Sequence, residues 1–360
     1  MNVIETLEFE GPIASLLKEI DALDLLPATD ARDREVASLR RRLDSTRADL
    51  YATLTPWQRV QVARHPSRPG LEEFIRVLFS GFVELHGDRR FADDHALMTG
   101  FADYNGQPVL LVGHVKGGDT KEKIYRNFGY ARPEGYRKAL RAMRLAEKFG
   151  RPIIVFVDTP AAYPGIESEE RGVAEAIAVN IRDMMLLDTP VIVVVSGEGG
   201  SGGALGIAVG DRVLMQEFAI YSVIPPEGCA AILWRHSNKK VEAASALKLT
   251  APDLLKVGII DEIIPEPVGG AHADPDTATR LVDEALQRAL ADVSAVDAAA
   301  RLKARYDKFR NIGRLGREFV DEGNEVPSGS SLPLRDRSNA ELPRRTPRTE
   351  RSLKGQPPRQ

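Results

Sequence analysis

The sequence predicts an α/β fold, with parallel strands covered by helices. Three observations lead there. Short runs rich in Val and Ile, above all Pro190-Val191-Ile192-Val193-Val194-Val195-Ser196, have the length and β-branching of buried strands. Amphipathic stretches of helical length alternate with them, which implies right-handed crossovers and helices lying over the sheet. Between one such strand and the small-residue helix starting at Ala204-Leu205-Gly206 lies the run Gly197-Glu198-Gly199-Gly200-Ser201-Gly202-Gly203.

Each element has a local reason. Residues 3–26 place Ile13, Leu16, Leu17, Ile20 and Leu23 at three-to-four spacing, a helix that Pro27 ends. Glu35 to Tyr51 repeats the pattern through Val36, Leu39, Leu43 and Leu50, and its arginines read as a solvated face. Trp57 to Pro66 is a short helix stopped by proline. Leu71 to Leu85 reads as a helix with Phe74, Leu78 and Phe82 on one side. Pro108 to Val115 is a strand, and Pro133 to Phe149 a helix with proline in its first turn. Pro152 to Asp158 is a strand and Glu169 to Leu187 a helix. After the glycine run come short strands at 212–215, 220–224 and 259–264, helices at 241–249 and 251–257, and a helix from Thr277 to Phe309. The division that follows is an N-terminal helical arm (1–85), a core (86–270), C-terminal helices (271–320) and a disordered basic tail (321–360), whose last 17 residues carry six basic groups and one acidic.

Composition narrows the class. Of 360 residues, 43% are apolar and 28% charged, enough for a sizeable core. Basic and acidic residues number 49 and 52, for a net charge of −3, so no global field favours nucleic acid or a membrane surface. No apolar run approaches the roughly 18–20 residues of a membrane span. Met1 to Glu10 holds three Glu and no basic flank, unlike a secretory leader, and a cytoplasmic protein is expected. Cys229 is the single cysteine, so neither an internal disulfide nor a thiolate zinc cage is expected on this chain.

The glycine run is the centre of the chemistry. The first amides of a helix lack internal partners and carry the positive end of its dipole. Glycine permits a left-handed backbone or a close approach, so such a turn offers bare N–H groups to a phosphate or to an oxyanion. Gly197, Gly199 and Gly202 fit a dinucleotide fingerprint with Glu217 downstream, but two strand–helix units precede it. Gly199-Gly200-Ser201-Gly202-Gly203 also fits a nucleophile elbow, with only His236 and His272 available downstream as a base. A P-loop is excluded, because Ala204 follows Gly203 where lysine is required. The stiff loop Asp158-Thr159-Pro160-Ala161-Ala162-Tyr163-Pro164-Gly165 ends the neighbouring strand and reads as a second pocket wall. Lys116, Lys121, Lys123 and Arg126 gather near another strand end, where they could hold coenzyme phosphates.

Ordered signatures resemble the alpha subunits of bacterial acetyl-CoA carboxylase carboxyltransferases. They are Phe9-Glu10 with Pro12-Ile13, Ala63-Arg64-His65-Pro66, Thr120-Lys121-Glu122-Lys123, Arg126-Asn127-Phe128-Gly129, Pro133 to Ala139, the Asp158–Gly165 loop, Glu169-Glu170-Arg171-Gly172, Gly197–Ala204, Pro226-Glu227-Gly228-Cys229-Ala230, and Ile264-Pro265-Glu266-Pro267 with Gly269-Gly270-Ala271-His272. They span residues 8–275. The resemblance implies a crotonase-type spiral of ββα units and an α2β2 assembly with a beta subunit that carries a zinc ribbon. It further implies biotin carboxylase and biotin on a separate carrier protein, and transfer of a carboxyl group from carboxybiotin to acetyl-CoA to give malonyl-CoA. ATP enters only at the level of the whole complex. It places backbone oxyanion donors at Gly202, Gly203 and Ala204, and biotin contacts at Tyr163, Pro164, Gly165, Arg171, Gly199, Gly200 and Ser201. Coenzyme phosphates fall to Lys121, Lys123 and Arg126, and no metal to this chain. The sequence departs from the family at Ala161 and at Glu167-Ser168, commonly Gly and Gly-Ala. The competing readings are a serine hydrolase using Ser201, a non-catalytic scaffold subunit and, more distantly, an NAD enzyme.

Overall fold

Val191 to Val195 are wholly buried, and successive side chains enter opposite hydrophobic layers. That is the signature of a parallel strand covered on both faces. In the computed structural model, which describes residues 6–313, this run opens the central strand of an eight-stranded sheet. The basic tail expected from 321 onward lies outside the described residues.

In chain order the helices are α1 (Gly11–Asp24), α2 (Asp30–Ala52), α3 (Pro56–Ala63) and α4 (Leu71–Leu78), followed by β1 (Ser80–Glu84), β2 (Leu97–Tyr104) and β3 (Gln107–His114). Then come α5 (Thr120–Tyr125), α6 (Pro133–Lys148), β4 (Ile153–Thr159), α7 (Ile166–Glu170), α8 (Val173–Met184), β5 (Val191–Gly200) and α9 (Ser201–Leu205). The rest are β6 (Arg212–Gln216), β7 (Ile220–Ser222), α10 (Pro226–Trp234), α11 (Lys240–Leu247), α12 (Ala251–Lys256), β8 (Glu262–Ile264), α13 (Pro275–Ser294) and α14 (Ala298–Asn311). The sheet runs β1-β2-β3-β4-β5-β6-β8, antiparallel through β3 and parallel after it, while β7 pairs with the far end of β5. One face packs on α6 and α8 through Ala139, Met143, Ala176 and Met184. The other packs on α4 and α13 through Phe74, Val282 and Leu286.

Local boundaries differ from the sequence reading at several places. The helix begun at Leu71 ends at Leu78, and Phe82 belongs to a strand; Phe79 is extended (φ −124°, ψ 155°), and the chain pairs with β2. β2 itself was not anticipated. It joins β3 through Asn105-Gly106, both at positive φ (52° and 80°), the geometry of a two-residue hairpin turn. The helix expected over 169–187 is broken by Gly172 at φ 76°. The helix expected over 277–309 is two helices, with Asp297 capping the second by accepting from the Ala300 amide (3.1 Å).

The N-terminal helices pack on one another and, through Tyr51 and Val62, on Phe218. Glu10 sits at this junction. It accepts from the Tyr51 hydroxyl (2.6 Å) and the Leu7 amide (2.8 Å), with His272 Nε2 at 3.8 Å. Near the other end of the described chain, Arg305 on α14 is 1% exposed. Its guanidinium forks onto Asp211 (2.8 and 2.7 Å) and donates to the carbonyls of Met184, Leu187 and Thr189. Among the described residues no helix is long and apolar enough to cross a membrane.

Burial opposes the charge on Glu10, but the His272, Tyr51 and Leu7 contacts outweigh it and hold its pKa near 2, against the ordinary 4.5. A depressed carboxyl stabilises the fold above its unfolded pKa, and that stability disappears as pH falls. Glu10→Gln is expected to cost on the order of 1–3 kcal/mol at pH 7. The difference from wild type should shrink between pH 4.5 and about 2, read from urea midpoints across that range.

Candidate functional site

The parallel strands deliver charged groups to their carboxyl ends, where ligands bind in open α/β sheets. Lys116 lies just past β3, Asp158 near the end of β4, and Glu198 near the end of β5. Lys116 Nζ is 2.6 Å from Asp158 Oδ1 and 2.8 Å from Glu198 Oε2. Arg64, at the end of α3, donates through Nε to Glu198 Oε1 (2.6 Å) and through Nη1 to Glu227 Oε1 (2.7 Å). Burial opposes the charges of Glu198, Lys116 and Arg64, yet the attraction of their partners prevails. Glu198 is held below the usual carboxylate range by Lys116 and Arg64, and Lys116 and Arg64 are both raised by their acid partners. The sequence reading did not assign Glu198. The available signal was an acid flanked by glycines in a run otherwise destined for burial, since such an acid needs a cation.

Asp158 also shapes the backbone. Along β4, Val157 and Thr159 are two residues apart, but their β5 partners Val195 and Gly199 are four apart, so β5 bulges at the intervening residues. The Asp158 carboxylate fills the bulge and accepts from the Glu198 amide (2.8 Å). A Cβ on Gly197 would lie 2.4 Å from that carboxylate.

The glycine run therefore differs from its sequence reading in one respect. Gly197 to Gly200 belong to β5, the helix begins at Ser201, and none of the run's glycines has positive φ. Ser201 does, at 50°. Two of the glycines, Gly200 and Gly203, are required by crowding with the chain's own backbone. A Cβ on Gly200 would meet the Pro160 carbonyl oxygen at 1.8 Å, and one on Gly203 would meet Ala161 C and Ala162 N at 2.5 Å. Gly202 has only Ile177 nearby, at 3.3 Å. The two loops are thus in main-chain contact. The first three amides of α9, those of Ser201, Gly202 and Gly203, have no carbonyl one turn behind them. Ala204 is the fourth position, where a helix's own ladder begins. Gly202 is half-buried; Gly203 and Ala204 are buried.

A narrow cleft reaches Gly199 and Gly200 beside Arg64, Pro160 and Glu198. A cavity of about 260 Å³ reaches Ser201, but its other walls are mostly apolar, among them Leu205, Val213, Leu254 and Phe309, with no histidine or acid. His272 instead stacks on His65 (3.9 Å) beside Glu10, and His236 is exposed. The hydrolase reading thus has a serine at the elbow and no base or acid lining its cavity.

The remaining residues are dispersed. Tyr163 donates its amide to the Ala131 carbonyl (2.9 Å) and carries the Arg132 guanidinium over its ring (5.0 Å). Pro164 is exposed, and Gly165 caps α7 with the Tyr163 ring 2.4 Å from where a Cβ would sit. Arg171 is engaged with Glu134 (2.8 and 3.3 Å) and lies over Phe91. Of the departures from the family, Ala161 lies against Gly203, Glu167 is exposed, and Ser168 is buried with its hydroxyl unpartnered. Arg126 pairs with Glu72 (2.7 Å) and donates to the His95 carbonyl. Lys121 is exposed. Lys123 lines a second cavity, of about 280 Å³, with Arg64, His114, Lys116 and Asp158. Burial pushes His114 down to about 3, so it is neutral there, and both its ring nitrogens lack a partner. Among the described residues no group of three or more His, Cys, Asp or Glu could hold a metal ion.

Residues 6–313 match the family described as acetyl co-enzyme A carboxylase carboxyltransferase-like. The chain belongs to that family. Curated relatives include the acetyl-coenzyme A carboxylase carboxyl transferase subunit alpha of Geobacter metallireducens, 55% identical over 310 residues, which are 86% of this chain and 98% of that protein. The protein of the same description from Geobacter sulfurreducens is 56% identical over 275 residues, 76% of this chain and 86% of that one. Among solved structures, transcarboxylase 12S superimposes with a TM-score of 0.50 at 21% identity, over 61% of this chain and 41% of the transcarboxylase chain. That likeness shows the crotonase-type fold. The family is one of subunits, so this chain works within a multi-subunit, biotin-dependent carboxyltransferase.

Two outcomes follow from the geometry. Gly200→Ala is expected to destabilise the fold by about 2–4 kcal/mol, since backbone must move, whereas Gly202→Ala should cost under about 1 kcal/mol. Chemical denaturation of the two variants checks the contrast. Lys116→Met leaves Asp158 without its cation and Glu198 with Arg64 alone, and should cost about 3–5 kcal/mol. Adding Glu198→Gln to Lys116→Met should restore part of that loss in the same assay.

Proposed function

We propose that this chain is the alpha half of a cytoplasmic carboxyltransferase that moves a carboxyl group from carboxybiotin, borne on a carrier protein, to acetyl-CoA, giving malonyl-CoA for fatty-acid synthesis. The single observation that best supports this reading is the junction of β5 and α9. A strand ends at Gly200, a helix begins at Ser201, and a second loop presses on the turn main chain to main chain. The amides left over at that junction are held by packing, so they need no reorganisation when negative charge develops in front of them.

Release of the carboxyl group puts that charge on the ureido oxygen of the substrate's biotin ring. Gly202 and Gly203 donate to it; a donor of this kind is worth about 10²–10³ in rate. The Ala204 amide is the weakest donor of the three, because the helix competes for it. Gly199, Gly200 and Ser201 form the floor, and Tyr163, Pro164 and Gly165 the facing wall. Arg171 is a positioning residue that ties the bend between α7 and α8 to α6 through Glu134. Lys121 and Lys123 remain available to coenzyme phosphates, with Arg126 held beside them by Glu72. The partner beta subunit, in an α2β2 assembly, supplies the donors for the acetyl enolate and carries the zinc, and biotin carboxylase reloads the carrier. No side-chain base is required on this chain, because the biotin nitrogen can take the acetyl proton. This agrees with a serine cavity walled mostly by apolar groups.

The test is carboxyl transfer between malonyl-CoA and a free biotin derivative. The chain alone should be inactive, and reconstitution with its beta partner should produce activity. Ser201→Ala should keep the reconstituted rate within about threefold, since the donors are main-chain amides. A complex without transfer activity, or one silenced by Ser201→Ala, overturns the reading.

A further inference from the structure

The largest of the described clefts is not at the glycine run. It lies between α6 and α8, beneath the loop that follows β1, and has a volume of about 490 Å³. Arg141 and Arg144 reach it from α6, Arg182 from α8 and Arg90 from the loop. The acids nearby do not neutralise them. Arg144 and Arg182 share one carboxylate, Asp183. Among the described residues Arg141 donates to the carbonyls of Gly87 and His86, each at 3.2 Å, and pairs with no carboxylate. Arg90 makes no side-chain hydrogen bond or ion pair among the described residues. Both Asp88 oxygens are engaged, one by the amides of residues 90–92 and the other by Arg137. Glu175 stands exposed at the rim. The guanidinium of Arg141 is less basic than usual through burial and the nearby Arg89, as expected of a cation lacking its anion.

The cleft also has a polar floor. Asn180 is 1% exposed and donates through Nδ2 to the carbonyls of Tyr136 and Gly206, both at 2.9 Å. Those bonds fix the amide's orientation and leave Oδ1 buried without a donor. Buried acceptors are almost always satisfied. A ligand filling this cleft would bring negative charge to its arginine rim.

We propose that the α6–α8 cleft is a binding site for a small ligand with adjacent phosphoryl groups, as in a nucleoside diphosphate. Planar guanidinium forks match phosphoryl oxygens two at a time, which lysines or a diffuse positive field would not. Concavity and volume suit a small molecule better than a flat acidic protein surface. The ligand would touch the site of carboxyl transfer only indirectly, through Asn180, whose amide holds the carbonyl of Gly206 just past α9.

The experiment is calorimetric titration of the full-length chain with inorganic pyrophosphate and, separately, with ADP, at low and at physiological salt. Both should bind, ADP more tightly than pyrophosphate, and both more weakly as salt rises. Arg90→Gln, at an exposed side chain with no hydrogen bond or ion pair among the described residues, should weaken both by about 3–10-fold, and Arg144→Gln by a similar factor. Arg76→Gln on α4, an exposed arginine paired with Glu73, should leave both affinities unchanged. Absence of binding by pyrophosphate at millimolar concentration overturns the proposal. So does retention of full affinity in both Arg90→Gln and Arg144→Gln, or an equal loss of affinity in Arg76→Gln.

Discussion

The Asp158 carboxylate sets the geometry on which the site depends. It fills the bulge in β5, takes the Glu198 amide, and holds Lys116 at 2.6 Å. Without it the extra residues of β5 would have no partner, and the strand could not re-register to pair Thr159 with Gly199. That second register carries β5 past β6 to β7 and delivers Gly200 against Pro160. One side chain thus converts a plain parallel ladder into two walls in main-chain contact.

Charge and packing are interdependent here. Glu198 would be costly alone at the end of a buried strand, and Lys116 and Arg64 make its ionised form the favoured one. Those cations come from β3's end and from α3, so the network binds the N-terminal helices to the sheet as well as fixing the pocket rim. Family membership fits this organisation. A subunit of a multi-subunit enzyme gains from surfaces that are rigid before its partners bind, and two loops in main-chain contact are rigid without any side chain having to be ordered.

Much of this could be read from residues alone, and the parts that could not share a cause. Val191 to Val195 and Ile153 to Val157 announced their strands because β-branched runs have few other uses. The glycine run announced a turn, but its reason was hidden, because the atoms that crowd it belong to Pro160 and Ala161, forty residues earlier. β1 was hidden because Phe74, Leu78 and Phe82 keep helical spacing across the point where the backbone straightens. β2 contains Gly100 and Asp103, poor strand formers, and its clearest mark was the Asn105-Gly106 turn beyond it. The pairing of Arg64 with Glu198 spans 134 residues, beyond the reach of any local pattern.

Arg305 has a temporal consequence. The carbonyls of Met184, Leu187 and Thr189 and the carboxylate of Asp211 surround the entry to β5 and β6, and all four are satisfied by a side chain more than ninety residues downstream. On the ribosome the middle of the sheet is made well before its keystone. The nascent chain therefore carries an unsealed polar seam, open to water or to a chaperone, until nearly the last described helix has emerged.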